Sequence, residues 1–203
     1  RCGRDAVRWY LLRDIPFGDD GDFQQQRFSD LVNNDLANTI GNLLNRTSSM
    51  ARRWFDGGVP PAQGARDAGH PLALASAEAL TAVSSGFEGL DFRHAAEGIL
   101  HLAIAANGFL NDQAPWSRMK QEGQRETVAD DLYAVLEATR WIALLLAPLL
   151  PDLSSRMLAQ LAQDPLEASG PWRERLRWGQ LEPSLQLPEP TPVMGRLELE
   201  EPL

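Results

Sequence analysis

The sequence is short of the groups that most often mark chemistry. It holds a single cysteine, Cys2, which excludes an intramolecular disulfide and any multi-cysteine zinc site and fits a reducing compartment. Of its 19 basic residues only one, Lys120, is a lysine. The longest apolar run, residues 141–151, has 11 residues and contains a proline, too short to span a bilayer. No charged-then-apolar leader opens the chain, and no initiator methionine does. It starts inside a helical pattern and is therefore expected to be a piece of a longer protein. The signatures G-x-S-x-G, G-x-G-x-x-G, H-E-x-x-H and the Walker loop do not occur. The carboxylates are scattered and form no paired acid–base motif, so the segment itself shows no active site. With 28 acids against 19 bases, the net charge of −9 argues against broad, sequence-blind binding of nucleic acid. A local basic stripe is still allowed.

What is present suits one soluble domain, or one with appendages: 203 residues, 43% hydrophobic and 23% charged. Its centre is the stretch 35–56. At 100° per residue, Leu36, Ile40, Leu43, Leu44, Met50, Ala51 and Trp54 share one arc, the buried stripe of an amphipathic helix. On the opposite side Asn42, Arg46 and Arg53 point within about 40° of one another. Asn38, Asn45, Ser49 and Arg52 flank them, and no acid occurs between Asp35 and Asp56. Surface helices normally mix both signs of charge. A face of Arg and Asn alone offers the donors that suit phosphates and base edges. It also fits a plain solvated face.

Around this helix, residues 4–13 read as a short helix stopped at Pro16. Residues 16–23 form a turn-rich loop with Asp19, Asp20 and Asp22. The loop lacks the calcium-loop pattern and reads as a cap for the next helix. Residues 24–33 begin a helical segment, with a kink or new N-cap at Asn34–Asp35. The glycines and prolines of 56–61 end the central helix. Helices are expected over 71–86, 92–110, 125–146 and 153–161, with Asp91 capping the second and Pro148 and Pro151 bending and ending the run 141–150. That run is apolar nearly all round and should be the most buried. His94 and His101 share a helix face, but only Glu97 stands beside them as a further ligand, so solvated histidines are the expectation. Pro115 and Trp116 leave the long helix among polar residues, an indole on a stiff backbone. The tail after Pro165, with Trp172 and Trp178, is proline-rich and should pack as an extended strand of chain. Successive amphipathic helices without alternating strands define an all-α helical bundle. No solenoid-length repeat is visible.

Three stretches carry a family resemblance: DAVRWYLLRDIPFGDDGDF (5–23), DLANTIGNLLNRTSSMARRWFDG (35–57) and NDQAPWSRMK (111–120). In this order and at these separations they resemble methionyl-tRNA synthetase, a class Ia aminoacyl-tRNA synthetase. That family's His-Ile-Gly-His motif and Lys-Met-Ser-Lys-Ser loop are missing here. The resemblance therefore implies residues 1–22 as the end of a stem-contact region, 23–163 as a helical anticodon-binding domain and 164–203 as an extended tail packing on the body. It implies a tRNA(Met) partner with a CAU anticodon, and an upstream catalytic domain of the same polypeptide that uses ATP with Mg. This segment would need no cofactor, would be inactive alone, and would be cytoplasmic with no membrane partner.

By position, the family's anticodon-contacting residues match Asn42, Arg46, Arg53, Pro115 and Trp116, the indole stacking on a base. Trp116 as a core anchor, Arg46 as a salt-bridge partner and Arg52 in place of Arg53 remain open at this point. So do a helical protein-interaction module, which the acidity favours, and the anticodon domain of another class Ia synthetase.

Overall fold

The computed structural model describes residues 3–165 and 172–198. In chain order the elements are α1 (Gly3–Asp14), α2 (Gln25–Leu31), a π-helical segment (Val32–Gly41), α3 (Asn42–Trp54), a 3-10 turn (Gly64–Arg66), α4 (Pro71–Glu88), α5 (Phe92–Gln113), α6 (Pro115–Arg118), α7 (Arg125–Leu146), α8 (Pro151–Gln160) and α9 (Trp172–Arg175). Among the described residues there is no strand, only a single bridge between Gly58 and Gln186. The all-α expectation holds, and none of these helices is long and apolar enough to cross a membrane.

The central helix departs from expectation at its start. Asn34–Asp35 is not a new N-cap: both residues lie inside the π-helical segment, and the backbone is helical at its two flanks, Leu31 (φ −63°, ψ −46°) and Gly41 (φ −65°, ψ −42°). Residues 25–54 are continuously helical, with a π-helical middle. The cause is tertiary. Asp35 accepts from Trp9 Nε1 at 3.0 Å and lies 3.8 Å from Arg13 Nε, and Asn107 of α5 donates to the Thr39 carbonyl at 3.0 Å. Thr39 Oγ1 donates to the Asn34 carbonyl five residues back at 2.7 Å. The wider turn crowds position 41: a Cβ on Gly41 would stand 3.1 Å from the Leu36 carbonyl oxygen. The loop aspartates do not cap α2 either, since its N-cap position is Gln24, which makes no side-chain capping bond. That loop is held instead by Tyr10, whose hydroxyl donates to the Asp22 carbonyl and accepts from Gln24 N.

Helices α4 and α5 form a close antiparallel hairpin. A Cβ on Gly98 would fall 2.5 Å from Ala82 Cβ, so only glycine permits this approach. Asp91 caps α5 by accepting from His94 N, as read from sequence, and His70 Nδ1 caps α4 by accepting from Leu72 N at 3.2 Å. Burial holds the His70 pKa below its ordinary value, which keeps that nitrogen free to accept. His94 and His101 are both exposed.

Helix α7 spans the expected residues and is buried on every side from Leu132 to Leu146. Pro151 does not end it: α7 stops at Leu146, and Pro151 is the first residue of α8, where its missing N–H costs nothing. Asp5 of α1 then accepts from Leu153 N at 2.6 Å, satisfying a donor in the first turn of α8 from outside the helix.

The tail packs back along the body. Trp178 Nε1 donates to the Ala65 carbonyl, Trp172 Nε1 to the Leu144 carbonyl, and Tyr133 Oη to the Leu181 carbonyl. Its anchor is an ion pair inside α7. Glu137 and Arg140 are 0% and 1% exposed, and Arg140 donates to both Glu137 oxygens at 2.5 and 3.0 Å. Glu137 also accepts from the backbone N–H groups of Gly179, Gln180 and Leu181, and Arg140 donates to the carbonyls of Arg175 and Arg177. Further on, Arg196 reaches Asn38, and Leu197 exchanges two hydrogen bonds with Asn33. The tail thus runs from α7 to the π-helical segment.

Candidate nucleic-acid interface

Helix α3 presents the face expected of it. Leu43, Leu44 and Ala51 are buried, Met50 and Trp54 half-buried, while Asn42, Ser49, Arg52 and Arg53 are exposed. Arg46 and Asn45 sit at the boundary, half-buried. Because α3 is regular from Asn42 onward, the π-helical turn upstream does not disturb the alignment of Asn42, Arg46 and Arg53. Asn38, inside the π-helical segment, is tied to Arg196 of the tail and is not free to join them.

Across from α3, the C-terminal end of α5 supplies the second half of the site. The helix continues through Gln113, three residues beyond its expected end, and is broken at Ala114, a non-glycine residue held at φ 42°, ψ 55°. Such a left-handed residue costs of order 1 kcal/mol or more and persists only where the surroundings enforce it. The break lets Pro115 start the short helix α6, with Pro115 itself buried and Trp116 turned outward. Below it, Arg118 fixes α6 to α7. Its guanidinium pairs with Asp131 at 2.7 Å and also donates to Gln113 and Gln124.

Trp116 is 39% exposed, which rejects the core-anchor alternative. The Arg46 guanidinium lies 5.6 Å from the centre of its ring, and Arg46 Nη2 donates to Asn111 Oδ1 at 3.2 Å. Arg46 has no carboxylate partner among the described residues, so the salt-bridge alternative also fails. Sequence reading missed Asn111, which sits 65 positions from Arg46 and carries no local signal. The structure therefore brings Arg46, Pro115 and Trp116 together where α3 meets the end of α5 and α6, with Asn42 about one turn before Arg46 on the same α3 face and Arg53 about two turns after it. A flat, half-open indole beside amide and guanidinium groups is chemistry for stacking a base and reading its edge. Among the described residues no three His, Cys, Asp or Glu side chains converge to hold a metal ion.

Two family models match the chain. One, for tRNA synthetases of class I (M), covers residues 1–48, and the other, the anticodon binding domain of methionyl tRNA ligase, covers residues 59–195. The fold and these matches thus define a helical anticodon-binding domain of a class I tRNA synthetase. The relatives are equally consistent. A methionine–tRNA ligase of Synechocystis sp. is 41% identical over 98% of this chain and 39% of its own length. The methionine–tRNA ligase of Bacillus subtilis is 34% identical over 99% of this chain and 30% of its own length. The crystal structure of the free-state methionyl-tRNA synthetase of Mycobacterium tuberculosis superposes with a TM-score of 0.88 at 33% identity, over 98% of this chain and 40% of that one. The chain belongs to the methionyl-tRNA ligase family. It spans about two-fifths or less of the length of these relatives.

Proposed function

We propose that this chain is the anticodon-reading portion of a methionine–tRNA ligase. It binds the CAU anticodon of tRNA(Met), so that a catalytic domain elsewhere in the same polypeptide attaches methionine using ATP with Mg, in the cytoplasm. The observation that carries the reading is the open Trp116 ring with the Arg46 guanidinium 5.6 Å from its centre. Trp116 stacks one anticodon base, with Pro115 and Ala114 holding its backbone so that little entropy is lost on binding. Asn42 and Arg46 meet base edges, and Arg53 follows the strand along α3. The ATP-dependent steps are assigned outside this chain, whose sequence lacks the His-Ile-Gly-His and Lys-Met-Ser-Lys-Ser groups.

Arg46→Ala tests the base-reading role. Affinity for a tRNA with a CAU anticodon should fall by about 1–2 kcal/mol, and the preference for CAU over a substituted anticodon should shrink. An equal loss for every tRNA, with a shallower salt dependence, would instead make Arg46 a phosphate contact.

A further inference from the structure

Arg125 lies outside the residues assigned to base reading, yet it is built into the same corner of the molecule. It opens α7, is exposed, and its Nη2 donates to the Trp54 carbonyl at 2.7 Å, at the C-terminal end of α3. Its guanidinium lies over the Phe55 ring, 4.8 Å from the centroid. Trp54 directly follows Arg53, the last residue of the reading face. From the other side, Arg118, two residues after Trp116, donates to Gln124 at 3.4 and 3.3 Å and so fixes the residue before Arg125. Arg125 is therefore tied to both halves of the site.

Its charge is uncommitted. Arg13, Arg118 and Arg140 each pair with a carboxylate, whereas Arg52, Arg53 and Arg125 form no ion pair among the described residues. Asp56, Glu122 and Glu126 are the neighbours in sequence, and all three are exposed without bridging to them. A guanidinium has five N–H donors, and this one spends a single donor inside the protein. Resting on a ring and pinned by a carbonyl, it is already ordered, so little freedom is lost when it takes a ligand. A fork of donors with no acceptor suits phosphate oxygens, which fix register without reading sequence.

We propose that Arg125, seated on Phe55, contacts a backbone phosphate of the RNA flanking the read bases, and forms with Arg52 and Arg53 a clamp at the end of α3. This rests on the anticodon-reading function and adds a sequence-independent contact to it. The test is titration of the 203-residue chain with a CAU-bearing tRNA and with the same tRNA carrying a substituted anticodon, over a series of salt concentrations. Arg125→Ala should weaken both RNAs alike, by roughly five- to tenfold, and lower the slope of log affinity against log salt by about 0.7–1. The CAU preference should be unchanged, and Arg125→Lys should restore the slope. Arg125→Gln keeps a donor for the Trp54 carbonyl while removing the charge, and should behave like the alanine variant even if that one melts early. Wild-type affinity and slope in a folded Arg125→Gln chain would overturn the proposal. So would a loss confined to the CAU-bearing RNA, which would make Arg125 a base contact. A wild-type chain that binds RNA without preferring CAU overturns the anticodon reading but leaves the clamp testable by the same slopes. A wild-type chain that binds no RNA overturns both.

Discussion

Glu137→Ala is expected to lower the unfolding free energy by about 3–5 kcal/mol, the cost of breaking a buried ion pair from one side. For a chain of this size that corresponds to melting roughly 6–20 °C lower. The reason is the number of groups left without partners. The substitution strands the Arg140 charge at 1% exposure and orphans three backbone N–H groups of the tail, at Gly179, Gln180 and Leu181. The tail should loosen first, so limited proteolysis should cut near residues 172–181 before it cuts the helices. Pairing the change with Arg140→Met removes the unpaired charge and should recover part of the loss, since an apolar pair of similar volume is often tolerated. Denaturant unfolding of the three variants checks this. A Glu137→Ala chain that melts with the wild type and keeps its tail protected would show that the pair anchors nothing.

Trp116→Ala should act on binding instead of folding. Trp116 is 39% exposed, with the Arg46 guanidinium 5.6 Å from the centre of its ring, so its loss should open no closed cavity and cost little stability. Affinity for tRNA should fall by about 1–3 kcal/mol, the worth of one stacked base, toward the upper end because Arg46 also loses its support. Trp116→Phe should retain part of the affinity, since a smaller ring still stacks. Thermal melting and tRNA titration on the same protein decide the matter. A large drop in melting temperature with normal affinity at low temperature would defeat the stacking role.

How far the sequence was legible depends on the range over which each feature is determined. Helix α7 could be bounded from residues alone because its apolar repeat and the proline after it are local. Asp91 could be read as a cap for the same reason, three residues ahead of the N–H it accepts from. The π-helical segment could not, since what holds it comes from Trp9, Arg13 and Asn107, far away in the chain. Asp35 looks like a helix cap locally and is claimed by an indole instead. Pro151 was misread because a proline that stops one helix and a proline that starts the next have the same neighbours. Glu137 and Arg140, charged residues in a helix buried all round, make sense only once the tail's backbone lies against them.

The candidate site divides in the same way. Asn42, Arg46 and Arg53 follow from helical spacing, and their alignment is local. That Trp116 faces solvent beside Arg46 is not local. It depends on a left-handed Ala114 that no composition rule favours, and on Asn111 reaching across from α5. Arg125 was invisible for the same reason, since its partners Trp54 and Phe55 are about 70 residues away.

The most direct test of anticodon reading is competition binding of the wild-type chain to one tRNA body carrying CAU or single substitutions at each anticodon position. Each wrong base that the site reads should cost about 1–3 kcal/mol at fixed salt, because a donor or acceptor of Asn42 or Arg46 is then left unpaired. The same tRNA body in every arm keeps the phosphate contribution constant. Equal affinity for CAU and all substituted anticodons would contradict the account, whatever the strength of binding.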